Sequence, residues 1–93
     1  MGPVDLTMHP MMGESEIQAA RRQMGARVRE IRLECHMTQD DLAYHLLVDR
    51  SRISRIETGR SPASFDELVQ IARLFSLSVS QLTSGLKTPS QGG

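Results

Sequence analysis

Ninety-three residues are enough for one small domain and too few for two. Eleven basic and eleven acidic side chains cancel, so net charge says nothing about a polyanion partner, and only the placement of the charges can. One cysteine excludes an intrachain disulfide and suits a reducing interior, and two Phe with one Tyr are too few for a single-strand stacking platform.

The opening stretch MGPVDLTMHPMMG has neither the basic start nor the apolar core of a signal peptide, and Gly2 lacks the hydroxyl residue that myristoylation expects at position six. Residues 1–13 read as a flexible tail, 14–86 as one domain, and 87–93 as a second tail. No apolar run approaches the roughly 20 residues that a membrane span needs.

Ser15 followed by Gln18 has capping-box spacing and predicts the start of a first helix, with Ile17, Ala20, Met24, Val28 and Ile31 on one face. That helix should end near Cys35, whose thiol falls on the apolar face and is expected to be buried. Thr38 with Asp41 opens a second helix carrying Leu42, Ala43 and Leu46. Asp49 caps a third, with Ile53 and Ile56 inward and Gly59 just past its end. Ser64 with Glu67 opens a fourth, with Phe65, Leu68, Ile71, Ala72 and Phe75 on its apolar face. Ser78 with Gln81 opens a short fifth helix bearing Val79 and Leu82 and closed by Gly85. No stretch alternates as a strand does. The expectation is an all-α domain of five helices.

The charges are unevenly placed. Residues 21–36 hold five Arg against two Glu, and residues 50–60 hold four Arg against Glu57 alone. Residues 1–16 and 37–49 carry the compensating acids. With Ile53 and Ile56 inward, Ser51, Arg55 and Thr58 point outward, Ser54 stands beside them, and Arg50 and Arg52 take the two flanks. A guanidinium can grip guanine O6 and N7 with two parallel bonds, and a serine can donate or accept at several base edges. Most arginine-rich helices are only solvated surfaces. Here a short helix and a tight turn precede this one, an arrangement that holds the second helix out from the body.

The stretch MTQDDLAYHLLVDRSRISRIETG resembles the helix-turn-helix of the lambda-repressor/Cro-like family, also called the xenobiotic-response-element family. The matching positions are Met37, Thr38, Gln39, Leu42, Ala43, Asp49, Ile53, Ser54, Ile56, Glu57 and Gly59, and the likeness continues through SFDELVQIARLFSLSVSQLTSG. The family usually has glycine where this chain has His36 and Leu47; if both keep a left-handed backbone, each costs about 1 kcal/mol relative to glycine.

The resemblance implies a five-helix lambda-repressor-like domain that binds double-stranded DNA through its third helix. It agrees with the outward face in assigning base edges to Arg50, Ser51 and Arg55, with Arg52 reaching a base or a phosphate. Gln39 matches the position that grips a phosphate, and Thr38, Thr58 and Arg60 are further phosphate ligands, Thr38 serving equally as a plain N-cap. Arg32 and Glu57 match a pair that braces the reading helix. Leu77, Val79, Leu82 and Leu86 either close the core or form a two-fold homodimer interface, as this family often does. The implied function is a homodimeric transcriptional repressor in the cytoplasm, at the nucleoid. A restriction–modification controller, or an antitoxin binding a toxin as well as DNA, is the alternative; an anti-repressor is a further protein partner of the same kind. An enzyme is disfavoured. Cys35, His36, His45 and His9 show no metal-ligand spacing, no glycine-rich phosphate loop is present, and neither cofactor nor metal is expected.

Overall fold

The computed structural model describes residues 10–84, with side chains from residue 16 onward. Five helices follow one another, α1 (Pro10–Glu34), α2 (Gln39–Leu46), α3 (Arg50–Glu57), α4 (Phe65–Leu74) and α5 (Val79–Thr83). No strand occurs among the described residues.

Three helices start as their sequences predict. Thr38 Oγ1 accepts the Asp41 amide at 3.0 Å while Asp41 Oδ2 accepts the Thr38 amide at 2.9 Å. The same reciprocal box forms between Ser64 and Glu67 and between Ser78 and Gln81. Two starts differ. Asp49 has the extended backbone of an N-cap, but its side chain makes no capping bond. Helix α1 begins at Pro10, so Ser15 lies inside it and residues 10–13, expected in a tail, are helical. Proline tolerates the first helical turn because the amide it lacks would have no partner there.

Helices α1 to α4 all close in one way. The amide five residues on returns to a carbonyl of the last turn: Met37 to Arg32, Val48 to Ala43, Arg60 to Arg55 and Leu77 to Ala72, at 2.7–3.0 Å. That closure needs a left-handed residue just before the returning amide. His36 (φ 58°), Leu47 (φ 60°), Gly59 (φ 79°) and Ser76 (φ 59°) fill the four places, so glycine occupies one of them. Ser76 had no sequence signal. In three of the four, an apolar side chain (Met37, Val48 or Leu77) follows and is half-buried, which anchors the turn on the core despite the strain.

The core is Val28 and Ile31 of α1, Leu42, Ala43 and Leu46 of α2, Ile53 of α3, Ile71 and Ala72 of α4, and Leu82 of α5. Three residues expected on buried faces are exposed. Ile17 and Phe65 are 54% and 70% exposed, each lying near the N-terminal end of a helix whose apolar stripe outruns the elements it faces. Cys35 is exposed, because the chain has already turned beyond α1 by that point. Gly25 has a role that periodicity did not show. A Cβ there would collide with the carbonyls of Ile56 and Glu57, so α1 meets the end of α3 backbone to backbone.

Candidate nucleic-acid interface

Helix α3 is held by its buried side and offers the other. Ile53 and Ile56 are buried, Ser54 is half-buried, and Arg50, Ser51, Arg55 and Thr58 are exposed. Gln39, Arg50, Ser51, Ser54, Arg55 and Arg60 line one open cleft. Among the described residues, no carboxylate lies within ion-pair distance of Arg50, Arg55 or Arg60. The cleft therefore presents three uncompensated guanidinium groups and two serine hydroxyls.

Two ion pairs fix the pose of α3 from opposite ends. At its C-terminal end, Arg32 Nε and Nη2 donate to Glu57 Oε2 and Oε1 at 2.6 and 2.9 Å. Arg32 Nη1 donates to the Met37 carbonyl at 2.8 Å, and Gln39 Nε2 donates to Glu57 Oε1 at 3.1 Å. Both charged partners are buried, and the hydrogen bonds that Arg32 donates to Glu57 raise the Arg32 pKa against the opposing effect of burial. The acid of α3 is thus neutralised within the fold and does not face the cleft.

Toward the other end, Arg52 is turned inward. Its Nε and Nη2 donate to Glu67 Oε2 and Oε1 at 2.9 and 2.6 Å, and Nη2 also reaches the Pro62 carbonyl at 2.9 Å. Glu67 Oε1 in turn accepts the Ser64 amide at 2.8 Å, so one carboxylate both caps α4 and holds α3. The Arg52 hydrogen bond, aided by Ser64, lowers the Glu67 pKa. Sequence reading used Glu67 for its cap alone; nothing local indicates a partner fifteen residues away.

Against this geometry, a helix-turn-helix domain family model matches residues 23–84, more than half of the chain. The chain belongs to the helix-turn-helix domain family. It is a helix-turn-helix DNA-binding protein. The HTH-type transcriptional activator BcrR of Enterococcus faecalis is 32% identical over 59 residues, which are 63% of this chain and 29% of that one. The chain therefore spans less than a third of that relative's length. The crystal structure of the hypothetical transcription factor NHTF from Neisseria superposes with a TM-score of 0.62 at 22% identity, covering 84% of this chain and 83% of that one; this likeness concerns the fold.

In this helix-turn-helix protein α2 and α3 are the paired helices, and Leu47 sits in the turn between them. Thr38 is exposed, and its hydroxyl is engaged in the α2 cap. The Thr58 hydroxyl donates to the Ser54 carbonyl at 2.9 Å. The four apolar residues expected at a dimer interface separate. Leu82 is fully buried in the chain's own core, Leu77 and Val79 are half-buried against it, and Leu86 lies outside the described residues. Leu82 is a core residue: α5 is so short that its one inward position must close the bundle.

Proposed function

We propose that the protein is a sequence-specific regulator of transcription that inserts α3 into the DNA major groove, as a homodimer on an operator of two-fold symmetry. The observation that carries this reading is the cleft of Gln39, Arg50, Ser51, Ser54, Arg55 and Arg60, whose cations have no carboxylate partner among the described residues. Arg50, Ser51 and Arg55 address base edges. Gln39, Thr38, Thr58 and Arg60 address phosphates on either side of the groove. Arg52 acts on DNA indirectly, by holding α3 against α4. Repression follows from occupancy: a dimer covering two successive major grooves blocks a promoter beneath it, in the cytoplasm at the nucleoid. A toxin or anti-repressor partner would act by competing with that bound state.

The two-fold arrangement rests on economy of binding, since one half-site supplies few base contacts. Of the three described apolar residues, Leu77 and Val79 have surface to offer a second copy. A charge at Leu82 is expected to unfold the chain rather than release a monomer. The relative named as an activator supports a second reading in which occupancy beside a promoter recruits rather than blocks.

The test is selection from a random duplex library followed by footprinting. The expected product is a recurring site with imperfect two-fold symmetry and half-sites about 34 Å apart. Equal affinity for all duplexes would end the reading, and a strict monomer protecting one unsymmetric half-site would end its dimeric part.

A further inference from the structure

Helix α1 carries cations that neither the cleft nor the two ion pairs employ. Arg22 and Arg29 are exposed, and among the described residues neither has a hydrogen bond or an ion pair. Their place on the helix is defined by neighbours. Gln18 Nε2 donates to the Gly59 carbonyl at 2.9 Å, Gly25 lies against the Ile56 and Glu57 carbonyls, and Arg32 binds Glu57. The line through residues 18, 25 and 32 is therefore the seam between α1 and the end of the recognition helix. At 100° per residue Arg29 and Arg22 stand about 40° and 60° round from Gly25, on the side of that seam away from the core. Glu16, Glu30 and Glu34 stand about 140–180° round, so Arg22 and Arg29 lie toward α3 and these three acids away from it, where Arg27 pairs with Glu30.

Arg22 is also in direct contact with the segment that continues the cleft. A Cβ placed on Gly59 would fall 2.6 Å from Arg22 Cγ and 2.9 Å from its Cα, and Arg60, the next residue, lines the cleft. The outward face of α3 and the Arg22–Arg29 edge of α1 both point away from the core and meet at Gly59. We infer that Arg22 and Arg29 form a second phosphate-binding track along α1, which holds the DNA backbone where it passes the C-terminal end of the recognition helix. This rests on the DNA-binding reading above and enlarges its footprint from α2, α3 and the following loop to the side of α1. Two cations spaced seven residues apart along a helix are about 10 Å from each other, comparable to about three phosphate intervals of one strand measured along the duplex axis.

The alternative role for these arginines is to complement the negative end of the α3 dipole, which needs no DNA. Salt dependence separates the two, because each neutralised phosphate adds about 0.9 to the slope of log affinity against log salt. The probe is a fluorescent mixed-sequence duplex of roughly 30 base pairs, titrated with the full chain from about 50 to 300 mM salt. Arg22→Ala and Arg29→Ala should each lower the slope by about 0.9 and the double variant by about twice that, with an affinity loss of about three- to tenfold per site at low salt. Arg22→Lys and Arg29→Lys should keep the slope. Arg60→Ala, at a residue assigned to a phosphate, serves as the reference for the cleft. An unchanged slope in both α1 variants, beside a lowered slope in Arg60→Ala, overturns the track and leaves DNA binding standing; so does a thermal destabilisation without a slope change. No fall of affinity with salt in the unsubstituted chain would remove the DNA-binding reading itself. Loss of slope in the Lys variants as well would also overturn the track, since it would show that charge at these positions is not what the duplex senses.

Discussion

Arg32 and Glu57, twenty-five residues apart, form a two-bond ion pair at 2.6 and 2.9 Å that is closed to solvent and joins α1 to the end of α3. Arg32 also donates to the Met37 carbonyl and Glu57 also accepts from the Gln39 amide, so each nitrogen and oxygen of the pair has a partner. Such a pair contributes little net stability but is costly to break, because the surviving charge stays buried. Arg32→Ala should cost about 3–5 kcal/mol in urea unfolding, and Arg32→Met with Glu57→Leu should cost much less. Equal costs for the single and double variants would mean that the pair is not coupled.

The second pair predicts an acid limit. Glu67 has its pKa lowered by Arg52 and Ser64, so its contribution is complete above the unfolded value of about 4.3 and is lost as pH falls through the folded value. Asp41, lowered by the Thr38 amide, acts in the same direction. Stability should be level from about pH 7 to 5 and fall below about pH 4.5, and Glu67→Gln should flatten that fall. Chemical denaturation at a series of pH values measures both.

Leu47 is 87% exposed and left-handed, so it bears strain without the return of burial. Leu47→Gly should stabilise the protein by about 1 kcal/mol, with DNA affinity unchanged. A loss of affinity at unchanged stability would assign the leucine to the interface instead.

Gly25→Ala tests the seam. Its methyl would press on the Ile56 and Glu57 carbonyls, which are backbone and cannot rotate aside. We expect a loss of about 1–3 kcal/mol and weaker DNA binding at temperatures where the domain is still folded, as seen by circular dichroism and anisotropy together.

The arginines of α3 should divide. Arg50→Ala and Arg55→Ala should each cost about 1–3 kcal/mol of binding and relax preference at one base pair, while Gln39→Ala weakens all duplexes alike. Arg52→Ala should instead lower stability by about 1–3 kcal/mol, since its donors serve Glu67 and Pro62. A change of base preference in Arg52→Ala without loss of stability would return it to the reading face.

The sequence by itself determined most of what lies within about one turn of each residue, the Ser15 box and the Asp49 side-chain cap excepted. The boxes at Thr38, Ser64 and Ser78 mark helix starts because donor and acceptor are three residues apart on the same chain. Spacing alone puts Ile53 and Ile56 inward and Arg50, Ser51 and Arg55 outward. The left-handed residues at His36 and Leu47 were legible as departures from an expected glycine, whereas Ser76 was not. Tertiary structure decided everything that depends on how far a neighbouring helix extends. Periodicity gives a side chain its direction but not the length of its cover, which is why Ile17 and Phe65 are exposed and Leu82 is closed in the core. It decided the partner of Arg52 for the same reason: fifteen residues and a loop separate it from Glu67, and only the packing of α4 beside α3 brings a carboxylate within bonding distance.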